Sequence, residues 1–147
     1  MRLLIRQATA ADLPGVLSLH SQPAIDNGNV LSIQNAEQLF AQFSHYPNYR
    51  LFVACDDQTV LGTFSMLIMH NLAHQGAPSA VVEDVVVSDA HQSQGIGRNM
   101  MNHAMTLARE VGCYKLVLSS NQKRERAHAF YESLGFQRHG FSFTVEI

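Results

Sequence analysis

Residues 81–105 constrain the fold of this chain most strongly, because an apolar run rich in valine passes through a polar loop into an amphipathic helix. Residues 81–87 have the composition of a strand that is buried on both faces, interrupted only by Glu83 and Asp84. Two adjacent carboxylates are costly to bury, so their presence in such a strand indicates a functional position. The stretch therefore predicts a strand, a loop and a helix, in that order.

The predicted loop contains two glycines, in the run Gln92-Ser93-Gln94-Gly95-Ile96-Gly97-Arg98. Glycine lets the backbone come close to a ligand, and the first N–H groups of a helix have no partner within the helix. A helix terminus of this kind binds phosphate. The dinucleotide pattern G-x-G-x-x-G is absent, since Met100 stands three positions after Gly97, and no Gly-Lys-Ser/Thr follows as in a Walker loop. The loop thus predicts a phosphate site of another class.

Hydrophobic periodicity predicts the remaining elements. Before the central strand it predicts a strand at residues 3–6, helices at 11–20 and 36–46, and a hairpin at 51–55 and 60–69. After it, the pattern predicts a helix at 96–111 that ends at Gly112, a strand at 114–118, a helix at 126–134, and a last hairpin from 136–138 and 141–147. A helix that connects two apolar strands is typical of parallel neighbours. We therefore expect an α/β fold with a mixed sheet.

Length and composition favour one compact domain, residues 1–147. The charged fraction of 15% and the formal net charge of −2 provide no basic surface for nucleic acid. No apolar run reaches the roughly 18 residues that span a membrane, and the first residues lack the core of a signal peptide. Cys55 and Cys113 lie in apolar surroundings, which favours free thiols in a reducing compartment. We expect a soluble cytoplasmic protein with no nucleic-acid or membrane partner, while a monomer and a homodimer both stay open.

Two motifs resemble those of one enzyme family. Gln92, Gly95 and Gly97 follow an apolar strand and match the pattern Q/R-x-x-G-x-G/A, and residues 130–136, Phe-Tyr-Glu-Ser-Leu-Gly-Phe, match F-Y-x-x-x-G-F. Their order and separation resemble those of the GNAT family of N-acetyltransferases. The resemblance extends from Arg6 to the C-terminus. It implies a mixed, mostly antiparallel twisted sheet flanked by helices on both faces, the acyl-CoA N-acyltransferase fold.

The resemblance also implies acetyl-CoA as cosubstrate. In the family, the central strand separates from its neighbour at a bulge, where free backbone groups pair with the pantetheine arm, and the loop amides hold the pyrophosphate. The matching cofactor-binding positions are Val85, Val86, Val87, Gln92, Ser93, Gln94, Gly95, Ile96, Gly97 and Arg98. Asn121 is a further candidate, because Arg124 stands where many members place an asparagine that contacts the pantetheine arm. Tyr131, which matches the family's tyrosine, is the last of the cofactor-binding candidates.

Acetyl transfer to an amine needs a neutral nucleophile, a polarised thioester carbonyl and a proton for the leaving thiolate. Glu83 is expected either to act as the base, because a desolvated carboxylate is more basic, or to position a cationic amine. The N–H near Val85 is the candidate donor to the carbonyl. Tyr131 matches the family's general acid, and the alternative is an aromatic residue that only packs.

The acceptor is expected to be a primary amine on a small polar, or even anionic, molecule, contacted by Glu83, Asp84 and Ser119. Residues 83–87 and 112–115 resemble glucosamine-6-phosphate N-acetyltransferases, which carry an aspartate in place of Ser119. The run 121–124, with residues 127–128, 130–131 and 141–144, resembles aminoalkylphosphonate N-acetyltransferases instead. Neither resemblance identifies the acceptor. A non-catalytic module that binds acyl-CoA as a sensor is the alternative function.

Metal chemistry is not predicted. His70 and His74 are four residues apart, a spacing that would bring two ligands together on a helix, but Gly76 and Pro78 indicate a loop. We therefore expect no metal site in this chain.

Overall fold

A computed structural model describes all 147 residues. In chain order the elements are β1 (Leu3–Gln7), α1 (Leu13–His20), α2 (Ile33–Phe43), β2 (Tyr49–Asp56), β3 (Thr59–Met69), β4 (Ser79–Val87), α3 (Ile96–Val111), β5 (Lys115–Leu118) and α4 (Glu125–Ser133). Short 3-10 turns cover Ala10–Asp12, His74–Gly76 and Asp89–His91. The chain divides into two compact units, Met1–Val117 and Leu118–Ile147, and the second of them contains α4. None of the helices is long and apolar enough to cross a bilayer.

The strands form one sheet in the order β1-β2-β3-β4-β5. The first three pairs, β1 with β2, β2 with β3 and β3 with β4, are antiparallel. The chain then passes from β4 through α3 to β5, which is the crossover that parallel neighbours require. The predicted fold, a mixed and mostly antiparallel twisted sheet, is confirmed.

Helices cover both faces of the sheet, as expected. On one face, Val16 of α1 packs against Val53 of β2, and Phe40 of α2 contacts the same cluster. On the other face, the ring of Phe52 lies 5.7 Å from the ring of His103 in α3. Successive residues of a strand point to opposite faces, so β2 is buried from both sides.

Gly62 in β3 determines how closely α3 packs on the sheet. A Cβ atom at this position would lie 2.8 Å from the sulfur of Met100 and 3.1 Å from a methyl group of Ile96. Both of those side chains are fully buried, so neither has room to move away. Because Ile96 is the first residue of α3, the missing side chain lets the N-terminus of this helix approach the sheet.

An ion pair joins β1 to the start of α1. The guanidinium of Arg6 donates to both carboxylate oxygens of Asp12, at 2.7 and 2.9 Å, and the N–H of Thr9 donates to the same carboxylate at 2.7 Å. Asp12 is buried. The hydrogen bonds from Arg6 hold the pKa of Asp12 at about 2, below its ordinary value of 3.8.

We expect Asp12→Asn to lower the free energy of unfolding by about 2 kcal/mol at neutral pH, because the substitution removes the charge that pairs with Arg6. The pKa of Asp12 is lower in the folded state, so its contribution is complete above about pH 4 and is lost as the pH falls to about 2. Urea unfolding across this range should show the difference between the two proteins shrinking towards pH 2. Asp57→Asn, in the exposed β2–β3 turn, is the control and should change little. A difference that does not depend on pH would contradict this account.

The structure departs from the prediction most in α2, which covers Ile33–Phe43 instead of residues 36–46, and in the last hairpin. α2 begins at Ile33 instead of residue 36, because the Oγ of Ser32 accepts a hydrogen bond from the N–H of Asn35 at 3.2 Å and caps the helix. The predicted last hairpin, from residues 136–138 and 141–147, is wrong, since no strand follows β5. Alternating apolar residues predict a strand, but a strand also needs a neighbour for its backbone groups. No strand pairs with residues 141–147.

Candidate active site

A bulge interrupts the pairing of β3 with β4. Across it, Phe64 of β3 faces two residues of β4, Asp84 and Val85, which have no partner in the register. Asp84 has a φ of +53°, in the left-handed region that non-glycine residues seldom adopt. The resemblance implied a bulge in the central strand, and the structure confirms it.

The C-terminal half of β4 extends beyond its other neighbour. The N–H of Tyr114 donates to the C=O of Pro78 at 2.9 Å, so β5 begins beside the start of β4. β5 has only 4 residues, whereas β4 continues to Val87. Beyond the end of β5, this edge of β4, the open edge, has no strand partner over the same residues that carry the bulge. Unpaired backbone groups at such an edge need a ligand or water as partner.

The phosphate loop, residues 92–98, presents a run of free backbone donors. No N–H from Gln92 to Arg98 donates a hydrogen bond to a protein acceptor. Gly95 has a φ of +84°, which few other residues tolerate, and its C=O accepts from the N–H and the side-chain amide of Asn99 at 3.0 and 2.9 Å. Free donors at the start of the 16-residue helix α3 can donate to an anion, and the positive end of the helix dipole favours one there.

The C=O of Val87, which ends β4, is already occupied. The side-chain amide of Gln92 donates to it at 3.1 Å, and so does the side-chain amide of Gln22, also at 3.1 Å. The carbonyl of Val87 and the carboxamide nitrogen of Gln92 are thus engaged within the protein, whereas Val85 has no partner in the register of β3 with β4. The sequence gives no sign of Gln22, because its contact links residues that are 65 positions apart.

Glu83 is exposed, and the expectation that the strand buries it is wrong. Glu83 pairs with Ser65, which pairs with Leu51, and directly paired residues point to the same face. Leu51 packs against the hydrophobic cluster that contains Val16 of α1. Glu83 therefore lies on the face of the sheet that α1 and α2 cover. Asp84 is also exposed.

Tyr131 lies on α4, within the second unit. Its half-buried ring packs against Phe130 and Phe136, with ring centroids 5.3 and 5.8 Å away. Burial raises the pKa of its phenol above the ordinary value of 10, and the charge of Arg124 opposes this change more weakly. The hydroxyl forms no hydrogen bond within the protein. A phenol with a raised pKa keeps its proton at neutral pH, as a general acid must.

The other predicted residues of the second unit are close in sequence to the start of α4. Ser119 is exposed. The carboxamide oxygen of Asn121 accepts from the N–H of Lys123 at 2.9 Å, and its C=O accepts from a ring nitrogen of His128 at 2.8 Å. Asn121 therefore shapes the turn before α4 through its two oxygens.

Neither cysteine is an activated nucleophile. Both are free thiols, as predicted. Burial raises the pKa of Cys55 in the core and of half-buried Cys113. A raised pKa leaves little thiolate at neutral pH, so a covalent acetyl-cysteine step has no candidate residue here.

His74, one of the two histidines considered as metal ligands, packs against an aromatic ring. His74 lies in a 3-10 turn, and its ring stacks on Tyr114 with centroids 4.2 Å apart. No group of three or more histidine, cysteine or carboxylate side chains lies close enough together to hold a metal ion.

The sequence matches the model of the Acetyltransferase (GNAT) family over residues 14–136. It is 31% identical over 105 residues to glucosamine 6-phosphate N-acetyltransferase of Trypanosoma brucei brucei, covering 71% of this chain and 63% of that protein. It is 29% identical over 140 residues to aminoalkylphosphonate N-acetyltransferase of Salmonella typhimurium, covering 95% of this chain and 88% of that protein. A solved structure from Agrobacterium tumefaciens, provisionally assigned as an acetyltransferase, has a TM-score of 0.91 at 32% identity and covers 98% of this chain and 99% of its own.

The chain spans less than two thirds of the length of the trypanosomal protein. The family match, in contrast, covers most of this chain. It includes the phosphate loop and the motif at residues 130–136, the two stretches on which the resemblance rested. This chain therefore belongs to the GNAT family of acetyltransferases.

Proposed function

We propose that this protein is an N-acetyltransferase that moves the acetyl group of acetyl-CoA to a primary amine. The observation that carries the proposal is the run of free N–H groups in the phosphate loop, directly after a strand with a bulge and an open edge. An extended ligand with an amide-containing arm and a pyrophosphate matches that order of free backbone groups. Coenzyme A is such a ligand, and the family match supports it.

In this proposal the neutral amine attacks the thioester carbon directly within a ternary complex. The new C–N bond forms, the C–S bond breaks, and the amine loses one proton while the thiolate gains one. The N–H of Val85 is the candidate donor to the thioester oxygen. Glu83 accepts the proton of the amine, directly or through water, or holds the cationic amine in place. Tyr131 supplies the proton to the thiolate, a role that rests on its place in the motif at residues 130–136.

The acceptor we propose is small and polar and carries an anionic group. The names of two relatives describe amines that carry a phosphate or a phosphonate. Lys123, Arg124 and Arg126, at the start of α4, are exposed cations that can pair with such a group.

The free thiols suit a reducing compartment such as the cytoplasm. Because the family match spans both compact units, we also propose that they belong to one acetyltransferase domain.

The test is release of free thiol from acetyl-CoA in the presence of a panel of amines, including amino sugars, amino sugar phosphates, aminoalkylphosphonates and polyamines. The proposal expects at least one amine to accelerate release, with amines that carry a phosphate or phosphonate the strongest. Titration with acetyl-CoA is run in parallel. Binding of acetyl-CoA without accelerated release by any amine would favour a sensor module, and the absence of binding would overturn the proposal.

Glu83→Gln separates the two roles of this carboxylate. If Glu83 is the base, the variant should lose the acidic limb of the profile of kcat/KM against pH, because glutamine cannot accept the proton. If Glu83 only positions the amine, KM for the amine should rise while the profile keeps its shape. Glu110→Gln, on the exposed end of α3, is the control. A Glu83→Gln variant with unchanged kcat, KM and profile would remove Glu83 from the site.

A further inference from the structure

The side chain of Gln22 pairs with the backbone that leads into the phosphate loop. Its carboxamide nitrogen donates to the C=O of Val87 at 3.1 Å, and its carboxamide oxygen accepts from the N–H of Asp89 at 2.8 Å. A carboxamide offers one donor and one acceptor on the same side, as the N–H and C=O of one residue in a parallel neighbouring strand do. Gln22 thus pairs with the end of β4 as a single residue of an added parallel strand would.

These two bonds lie on the edge of β4 that faces away from β3. The N–H of Ser88 donates to the C=O of Leu61 in β3 at 2.8 Å. The C=O of Val87 belongs to the same trans peptide group, so it points in the opposite direction. Gln22 therefore occupies the last position of the open edge, two residues after Val85.

Gln22 also organises the turn that follows α1, residues 21–28. Its C=O accepts from the N–H groups of Ile25 and Asn27, both at 3.1 Å, and its own N–H donates to the C=O of Leu19 at 3.2 Å. Every polar group of Gln22, in the main chain and in the side chain, is therefore bonded. One residue joins the turn after α1 to the entrance of the phosphate loop.

We propose that Gln22 is a positioning residue that couples the turn after α1 to the phosphate loop. By holding residues 87–89, it keeps the free N–H groups of the loop in place before a ligand arrives, so binding does not have to order them. Binding at the loop should therefore also stabilise the turn after α1. The identity of the ligand rests on the proposed function, whereas the coupling itself does not.

Hydrogen exchange of the ligand-free protein tests the coupling without any cofactor. Gln22→Met keeps the length of the side chain and removes both hydrogen bonds. We expect exchange to become about tenfold faster at two N–H groups that Gln22 does not bond, that of His91 in the loop entrance and that of Gly28 in the turn. Gln58→Met, at an exposed turn residue, is the matched control. Unchanged exchange at His91 would overturn the coupling.

Binding of ligands with and without the pyrophosphate tests the positioning role. Gln22→Met should weaken binding of coenzyme A about tenfold and leave binding of pantetheine, which lacks the pyrophosphate, close to wild type. Equal losses for both ligands, or no loss for either, would overturn the positioning role. Gln22→Leu removes the same two hydrogen bonds without adding a charge, should give the same selective loss, and serves if the methionine variant does not fold. Wild-type protein that binds no coenzyme A would refute the proposed function, while the exchange result would still decide the coupling.

Discussion

Tyr131→Phe should lower kcat by roughly 10²–10⁴-fold, the usual contribution of a general acid. The substitution keeps the ring and its packing against Phe130 and Phe136, and it removes only the hydroxyl, which makes no hydrogen bond within the protein. The free energy of unfolding should therefore change little. Steady-state rates at saturating acetyl-CoA, together with a urea unfolding curve, check both expectations.

Tyr114→Phe is the matched control, because Tyr114 also keeps its ring contacts as phenylalanine and has no assigned role. The pH dependence adds a second check. Burial raises the pKa of Tyr131 above its ordinary value of 10, so the phenol stays protonated below about pH 10 and should produce no loss of rate in the neutral range. A Tyr131→Phe variant with turnover close to wild type, when chemistry limits the rate, would show that Tyr131 is a packing residue.

Gly97→Val should weaken binding of acetyl-CoA by about 10–100-fold, which corresponds to the loss of one or two hydrogen bonds to a charged group. Gly97 is the second residue of α3 and lies among the free N–H groups of the phosphate loop. Unlike Gly95, it has no positive φ, so valine is compatible with the backbone. The branched side chain would stand where the pyrophosphate must approach.

Isothermal titration with acetyl-CoA measures this change, and thermal unfolding shows whether the variant keeps its fold. Thr106→Val places the same side chain at an exposed position of the same helix, away from the phosphate loop, and should leave the affinity unchanged. A folded Gly97→Val protein with wild-type affinity would refute the assignment of the loop as the pyrophosphate site.

The central part of the fold was predictable because its signals are local. The apolar run at residues 81–87 lies within β4, and the stripe at residues 96–111 became α3 with the same bounds. Gly112 ends that helix with a φ of +86°, as its place after the stripe indicated. The prediction of the last hairpin was wrong because a hairpin does not depend on local signals alone. The alternation over residues 141–147 describes only the side chains, and no neighbouring strand is present to pair with them.

For the site, the sequence by itself predicted the phosphate loop and the tyrosine that matches the family's general acid, because both predictions depend on short motifs. The tertiary structure decided the rest. It exposes Glu83 beside the bulge, leaves Val85 without a partner, and brings Gln22 to the C=O of Val87. It also shows why β3 carries Gly62, where α3 packs against the sheet. Each of these features depends on strand register or on a contact between distant residues, and local periodicity carries no information about either.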